Sequence, residues 1–276
     1  MLNPDGVING NYRCSLAGCD LNRRWKFPSK QLQPTVYHTK RLVKKVHAER
    51  TCILFCDLHG HSRKPNVFMY GCDIKGAPEE TRFFPLLLSK LSPLFDFKAS
   101  RFGVQKSREA TARVALFKEL KTCALVYTME STFSGLDMGP HSGLHISTKL
   151  LESMGVDLCR ALLIQCNLGV PKELLDIARA PLAKARGITS KTFSAEPPSD
   201  CESVVSQQAL EIKQSLIAEL KANKELLLAG NGDSSSGSES EPSEDNLDAS
   251  ELVKNLPAVD KPLSLALKQE QQTRKE

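Results

Sequence analysis

Apolar positions along the first 166 residues recur at two different spacings, and the two alternate. Thr51–Leu58 ("TCILFCDL") and Leu125–Glu130 ("LVYTME") are short, apolar or β-branched and bounded by polar turns, which predicts buried strands. Pro34–Glu49 instead sets Val36, Leu42, Val43 and Val46 at helical spacings behind a proline suited to a first turn. Ser147–Cys166 does the same with Leu150, Leu151, Met154, Leu158 and Leu162, and Glu80–Leu91 is a third predicted helix. Strands interleaved with helices predict an α/β fold, with a mixed, largely buried sheet flanked by helices.

The pattern changes after about Gly169. Basic, turn-rich sequence leads to "AEPPSD", and Cys201–Leu228 then carries apolar residues on a helical period with charges between them, which predicts an appended helix. From Gly230 the segment "GNGDSSSGSESEPSEDNLDAS" offers almost no apolar side chain to offset the entropy of ordering it. The predicted organisation is therefore an α/β region over 1–168, a linker with a helical extension over 169–229, and a disordered acidic and polar tail over 230–276. No internal repeat is visible.

Composition refines this picture modestly. With 276 residues, 41% hydrophobic and 25% charged, the chain is ordinary for a soluble globular protein. No run approaches the roughly 18 apolar residues of a membrane helix, and the start "MLNPDGVINGNYR" lacks basic and apolar leader regions, so a non-secreted, cytoplasmic protein is expected. Nine cysteines, an odd number without a C-x-x-C pair, argue against a disulfide framework or a zinc ribbon. The net charge of +5 includes an acidic tail that masks a more basic body, which favours an anionic partner.

Candidate chemistry begins at "CDLHGHS". A strand ending in His59 places an imidazole at the carboxyl edge of a sheet, where open α/β folds put their sites. His61 lies past Gly60 in an expected turn, where it could simply hydrogen-bond, and a lone His59 is compatible with a ligand or with a structural histidine. At the amino terminus Asn22 and Arg23 could grip a terminal carboxylate, since a guanidinium supplies two parallel hydrogen bonds and an amide a third; a solvated turn is the alternative. Glu130 ends the second predicted strand among apolar neighbours, where burial would raise its pKa toward that of a general base, or where it stands as an exposed strand-end acid.

Five ordered stretches, "NPDG", "GNYRCSLAGCDLNRRW", "DLHGHSRKPNVFMYGC", "QKSREATARV" and "YTMESTFSG", resemble the cytosolic carboxypeptidase subfamily of the zinc carboxypeptidases, relatives of carboxypeptidase A. The resemblance covers about residues 1–166. It implies that His59 is the third ligand of one Zn2+ ion, Glu130 the general base and Arg13 the residue facing the oxyanion. It further implies that Asn22 and Arg23 anchor the substrate's terminal carboxylate. The subfamily removes C-terminal glutamates, notably from polyglutamylated tubulin, so the implied partners are acidic protein tails, with neither nucleic acid nor membrane. Lys106, Arg108 and Arg113 are candidate readers of the substrate's side-chain carboxylate, Arg113 first among them, with a surface salt bridge as its alternative.

One departure from the family pattern matters. The family draws its first two zinc ligands from an H-x-x-E motif upstream of "NPDG", and none of the six histidines here begins such a motif. A catalytic zinc takes three protein ligands. Two expectations follow: an amino-terminally incomplete version of a longer metallocarboxypeptidase, with strand edges and apolar faces left uncovered, or a catalytically inactive, metal-free fragment that binds acidic tails.

Overall fold

The computed structural model describes residues 1–50, 52–121, 123, 125–166, 201–223 and 225–226. The predicted tail, most of the linker, and Thr51 lie outside the described residues. No helix among the described residues is long and apolar enough to cross a membrane. The described residues divide into two compact units, one drawn from 1–52 and 105–120, the other from 53–104 and 121–226.

In the first unit, helix α1 (Pro4–Ile8) is capped by Asn3, whose Oδ1 accepts the Gly6 amide. The same side chain donates through Nδ2 to the Cys14 carbonyl at 3.0 Å, so it ties α1 to the loop that carries Arg13. A Cβ on Gly6 would collide with Asn3 and with the Cys14 carbonyl, which explains the glycine of "NPDG". Helix α2 spans Pro34–Glu49, as the periodicity predicts. Its interior face, however, holds Val36 and the buried Lys40, while Leu42 and Val46 point outward at 60% and 43% exposure. Lys40 is buried productively: its Nζ meets the Trp25 and Lys26 carbonyls at 2.7 and 2.9 Å and the Glu119 carboxylate at 2.6 Å.

The second unit is the α/β sheet. Strand β1 covers Leu54–His61, β2 Val67–Tyr70 and β3 Leu125–Thr132, in the order β1-β3-β2. β1 and β3 run parallel, and β2 is antiparallel to β3, so the sheet is mixed as expected. β1 starts later than its apolar run suggests and continues through His61, which pairs with Thr132; His61 is therefore in the strand and not beyond it. One sheet face presents Leu54, Cys56, Val67, Met69, Tyr127 and Met129 to the core.

That core is closed by helices α3 (Pro78–Leu91), α5 (Thr148–Cys166) and α6 (Cys201–Ala222), with α4 (Ala112–Glu119) belonging to the first unit. Phe84 stacks on Tyr127 at 5.9 Å, and the Tyr127 hydroxyl donates to the Thr81 carbonyl at 2.6 Å, which bolts α3 to β3. α6 is no mere appendage, because Ala209, Ile212, Leu216 and Leu220 are all buried in this core. β1 pairs on one side only among the described residues, and Leu58 on it is 65% exposed.

Candidate active site

Parallel pairing aligns His59 of β1 with Glu130 of β3, so both side chains leave the same sheet face near the carboxyl ends of adjacent strands. Period-2 alternation adds Asp57 to that face. Its Oδ2 lies 2.8 Å from His59 Nε2. A carboxylate there accepts the Nε2 proton, which in a neutral ring leaves the lone pair on Nδ1 and fixes the ring's orientation. Asp57 is not singled out as a site residue by the sequence alone, although its i, i+2 spacing from His59 puts both on one face of a strand. Glu130 is only 9% exposed, so the exposed-acid alternative does not hold.

Two neighbours are excluded from chemistry by their surroundings. His61 Nδ1 accepts the amides of Arg63 and Lys64 at 3.2 and 3.0 Å and its ring meets Phe68 edge-on, so it secures the turn after β1. Cys56 is turned to the core; burial first, then the Asp57 charge, pushes its thiol up to about 12, against a lowering hydrogen bond from the Met129 backbone. At neutral pH it stays a thiol and is neither nucleophile nor metal ligand. The intervening Gly60 has its own reason: the Phe133 ring lies where a Cβ would go.

Arg13, Asn22 and Arg23 gather in the first unit around Asp20. The chain doubles back so that Cys14 bridges to Asp20, and Asp20 then caps the short 3-10 turn Leu21–Arg23, its Oδ1 accepting the Asn22 amide at 2.8 Å. Its Oδ2 meets the Arg13 guanidinium at 2.9 Å and that of Arg23 at 3.8 Å. One carboxylate thus holds two guanidinium groups together, a role for Asp20 that depends on a turn closing and was not legible from residue type. The Arg13 backbone is fixed in turn by Asn11, whose Oδ1 accepts the amides of Arg13 and Cys14 at 3.0 and 2.9 Å.

Asn22 divides its functions. Oδ1 accepts the Ala112 amide at 2.9 Å and so caps α4, while Nδ2 has no hydrogen-bond partner among the described residues and remains a donor for a ligand. Arg113 is the second residue of α4 and is 6% exposed, so the surface salt bridge is not its role. Lys106 is exposed and Arg108 half-buried, both on the 3-10 turn before α4.

A metal fits this residue set only in part. His59 is one imidazole, and no group of three His, Cys, Asp or Glu among the described residues could hold an ion. Zinc bound at catalytic strength needs ligands beyond these.

No protein-family model matches the chain. Cytosolic carboxypeptidase 1 of Danio rerio is 48% identical over 190 residues, covering 63% of this chain and 16% of that protein. Cytosolic carboxypeptidase 1 of Homo sapiens is 44% identical over 216 residues (70% and 17%), and cytosolic carboxypeptidase 2 of Xenopus tropicalis 51% identical over 171 residues (60% and 18%). Over the matched residues the chain is similar to the cytosolic carboxypeptidases. It spans about a sixth of the length of these curated relatives. Among solved structures, a metallo-carboxypeptidase from Burkholderia cenocepacia superposes with a TM-score of 0.52 at 25% identity, over 60% of this chain and 43% of that one. A metallo-carboxypeptidase from Pseudomonas aeruginosa, in complex with (2-guanidinoethylmercapto)succinic acid, gives 0.50 at 28% identity over 59% and 44%. The mixed sheet with its flanking helices is thus the fold of metallo-carboxypeptidases.

Proposed function

We propose that this chain supplies part of the active site of a zinc-dependent cytoplasmic carboxypeptidase that removes C-terminal glutamates from acidic protein tails such as those of polyglutamylated tubulin. The observation that carries the reading is the register of His59 against Glu130 on adjacent parallel strands, with Asp57 orienting the imidazole. Similarity to the cytosolic carboxypeptidases supports the peptidase class, and the exposed and half-buried guanidinium groups around Asp20 suit an anionic substrate.

The protein groups divide the work of hydrolysis. Glu130 takes a proton from the attacking water and returns it to the leaving amine. Arg13 meets the negative charge that develops on the scissile carbonyl oxygen, where a fixed donor lowers the barrier most. Asn22 Nδ2 and Arg23 receive the terminal carboxylate, and Arg113 an acidic side chain.

A second reading, a metal-free module that binds acidic tails without cleaving them, is favoured by one observation, the absence of a three-ligand cluster among the described residues. The two separate in a chimera in which this chain replaces the matching segment of human cytosolic carboxypeptidase 1. The peptidase reading expects glutamate release from a polyglutamate peptide, and a collapse of kcat with little change in peptide binding for Glu130→Gln. A chimera that folds, binds the peptide and releases no glutamate establishes the binding module instead.

A further inference from the structure

The charge of this protein is unevenly distributed. Residues 1–52 and 105–120 hold fourteen Lys and Arg against five Asp and Glu, although the whole chain holds 37 against 32. Part of this excess lies on the outer face of α2. At 100° per residue His38, Arg41, Leu42, Lys45, Val46 and Glu49 share one side of the helix, and all six are exposed. Lys45 and the following Arg50 make no ion pair among the described residues, and Arg41 meets only the Tyr37 ring and hydroxyl, the latter at 3.3 Å. Glu49 is the single acid of this face. Leu42 and Val46 stand between these cations at 60% and 43% exposure, so an occupant of this face would meet aliphatic surface as well as positive charge.

The sequence contains a matching partner. Residues 233–251 carry seven Asp and Glu and no Lys or Arg, and this acidic stretch includes Leu247 and is followed at once by Leu252 and Val253. We propose that the acidic segment 233–251 docks on the outer face of α2, its carboxylates meeting Arg41, Lys45 and Arg50 and its Leu247 covering Leu42 and Val46. Covalent attachment favours this occupant over a free acidic chain, since a tethered segment acts at an effective concentration of ~1 mM. If the chain acts on acidic tails, which rests on the function proposed above, the docked segment competes with them for the basic unit.

The test uses the full chain at dilute concentration. Zero-length carbodiimide coupling followed by mass spectrometry should join Lys45 to carboxylates of 233–251 within monomers, and about 1 M NaCl, where the Debye length falls to about 3 Å, should abolish the products. A fluorescent decaglutamate peptide then reads the same face. With an intrinsic Kd of ~0.1–1 mM, the tether fills half to nine-tenths of the face, so replacing Glu239, Glu241, Glu244 and Asp245 by their amides should tighten peptide binding about 2–10-fold. The same replacement in an Arg41→Glu/Lys45→Glu background should tighten nothing. Absence of intramolecular Lys45 products, products only in dimers, or peptide affinity indifferent to the tail substitutions would each overturn the proposal. Neither readout involves peptide cleavage or zinc, so its failure leaves the peptidase reading standing, and the reverse.

Discussion

Leu216 offers the sharpest test of how the strand bearing Glu130 is held. It is fully buried on α6, one turn from Ile212 and Leu220, and α6 packs against α3, which is bolted to β3 through Tyr127. The polar contacts at the rim of α6 contribute little by comparison: Lys90–Glu219 at 2.9 Å and Lys221–Glu79 at 3.0 Å are partly solvated pairs of about 0–1 kcal/mol each. Deleting the isobutyl group leaves a cavity at a fully buried site, for which Leu→Ala changes cost about 2–5 kcal/mol. At 1.36 kcal/mol per decade, amide exchange limited by opening of this unit accelerates by about 30-fold to several thousand-fold. The assay is hydrogen exchange read by mass spectrometry on peptides covering 125–132 and 201–222 in wild type and Leu216→Ala. The packing requires that both peptides accelerate together. Faster exchange confined to 201–222, with β3 as protected as before, refutes the argument and returns α6 to the status of an appendage.

Three further outcomes are expected. Arg82 is fully buried and bidentate on Asp73, with Nε–Oδ1 at 3.0 Å and Nη2–Oδ2 at 2.7 Å, so Asp73→Ala should lower unfolding free energy in urea by about 3–5 kcal/mol while Arg82→Met/Asp73→Leu costs clearly less; equal losses would show the pair is not electrostatically isolated. Burial pushes the Glu119 carboxyl up, but hydrogen bonds and charge from Lys40 and Lys44 outweigh it and leave Glu119 below the usual carboxylate range. A depressed folded-state value means stability that is present above the unfolded value and lost as pH falls through the folded one, so Trp25 fluorescence melts of wild type and Glu119→Gln should converge on acidification from about pH 6 to 3, and a gap that stays constant would contradict this. In the chimera, Arg23→Ala should depress kcat/KM for peptides ending in Glu, Gln and Leu alike, and Arg113→Ala most for Glu; equal effects of Arg113→Ala on all three would place glutamate selection elsewhere.

What the sequence discloses, and what it hides, follows from whether a residue's role is local. The helices over Pro34–Glu49 and Ser147–Cys166 are legible because proline at the start and apolar spacing are local properties, and the structure moves their ends by a residue at most. Strand β2, only four residues of "VFMY", is stabilised by pairing with β3 and by bridges to Phe95 and Arg101, contacts that no local pattern announces. Helix α4 escapes for a related reason: its inner face contains Arg113, so an apolar stripe is interrupted by a charge, and its first amide is capped by Asn22, ninety positions away.

The same distinction orders the candidate site. His59 and Glu130 are legible because each follows an apolar run near the carboxyl end of its strand, and a polar side chain at that point has a short menu of uses. Asp57 and Asp20 are hidden because neither needs to face substrate: one orients an imidazole, the other holds two guanidinium groups, and an aspartate with such a role is indistinguishable by type from one that is merely solvated. Their importance is created by folding, by the strand pleat at Asp57 and by the Cys14–Asp20 bridge that closes the loop. Leu42 and Val46 make the converse point. Their helical spacing signals a buried face, yet the buried positions on α2 go to Val36 and to Lys40, whose three oxygen partners compensate its desolvation, and the two aliphatic residues turn outward among cations. Periodicity reports that a helix has an apolar stripe. Only the partners of the opposite face decide whether that stripe seals a core or remains for another segment to cover.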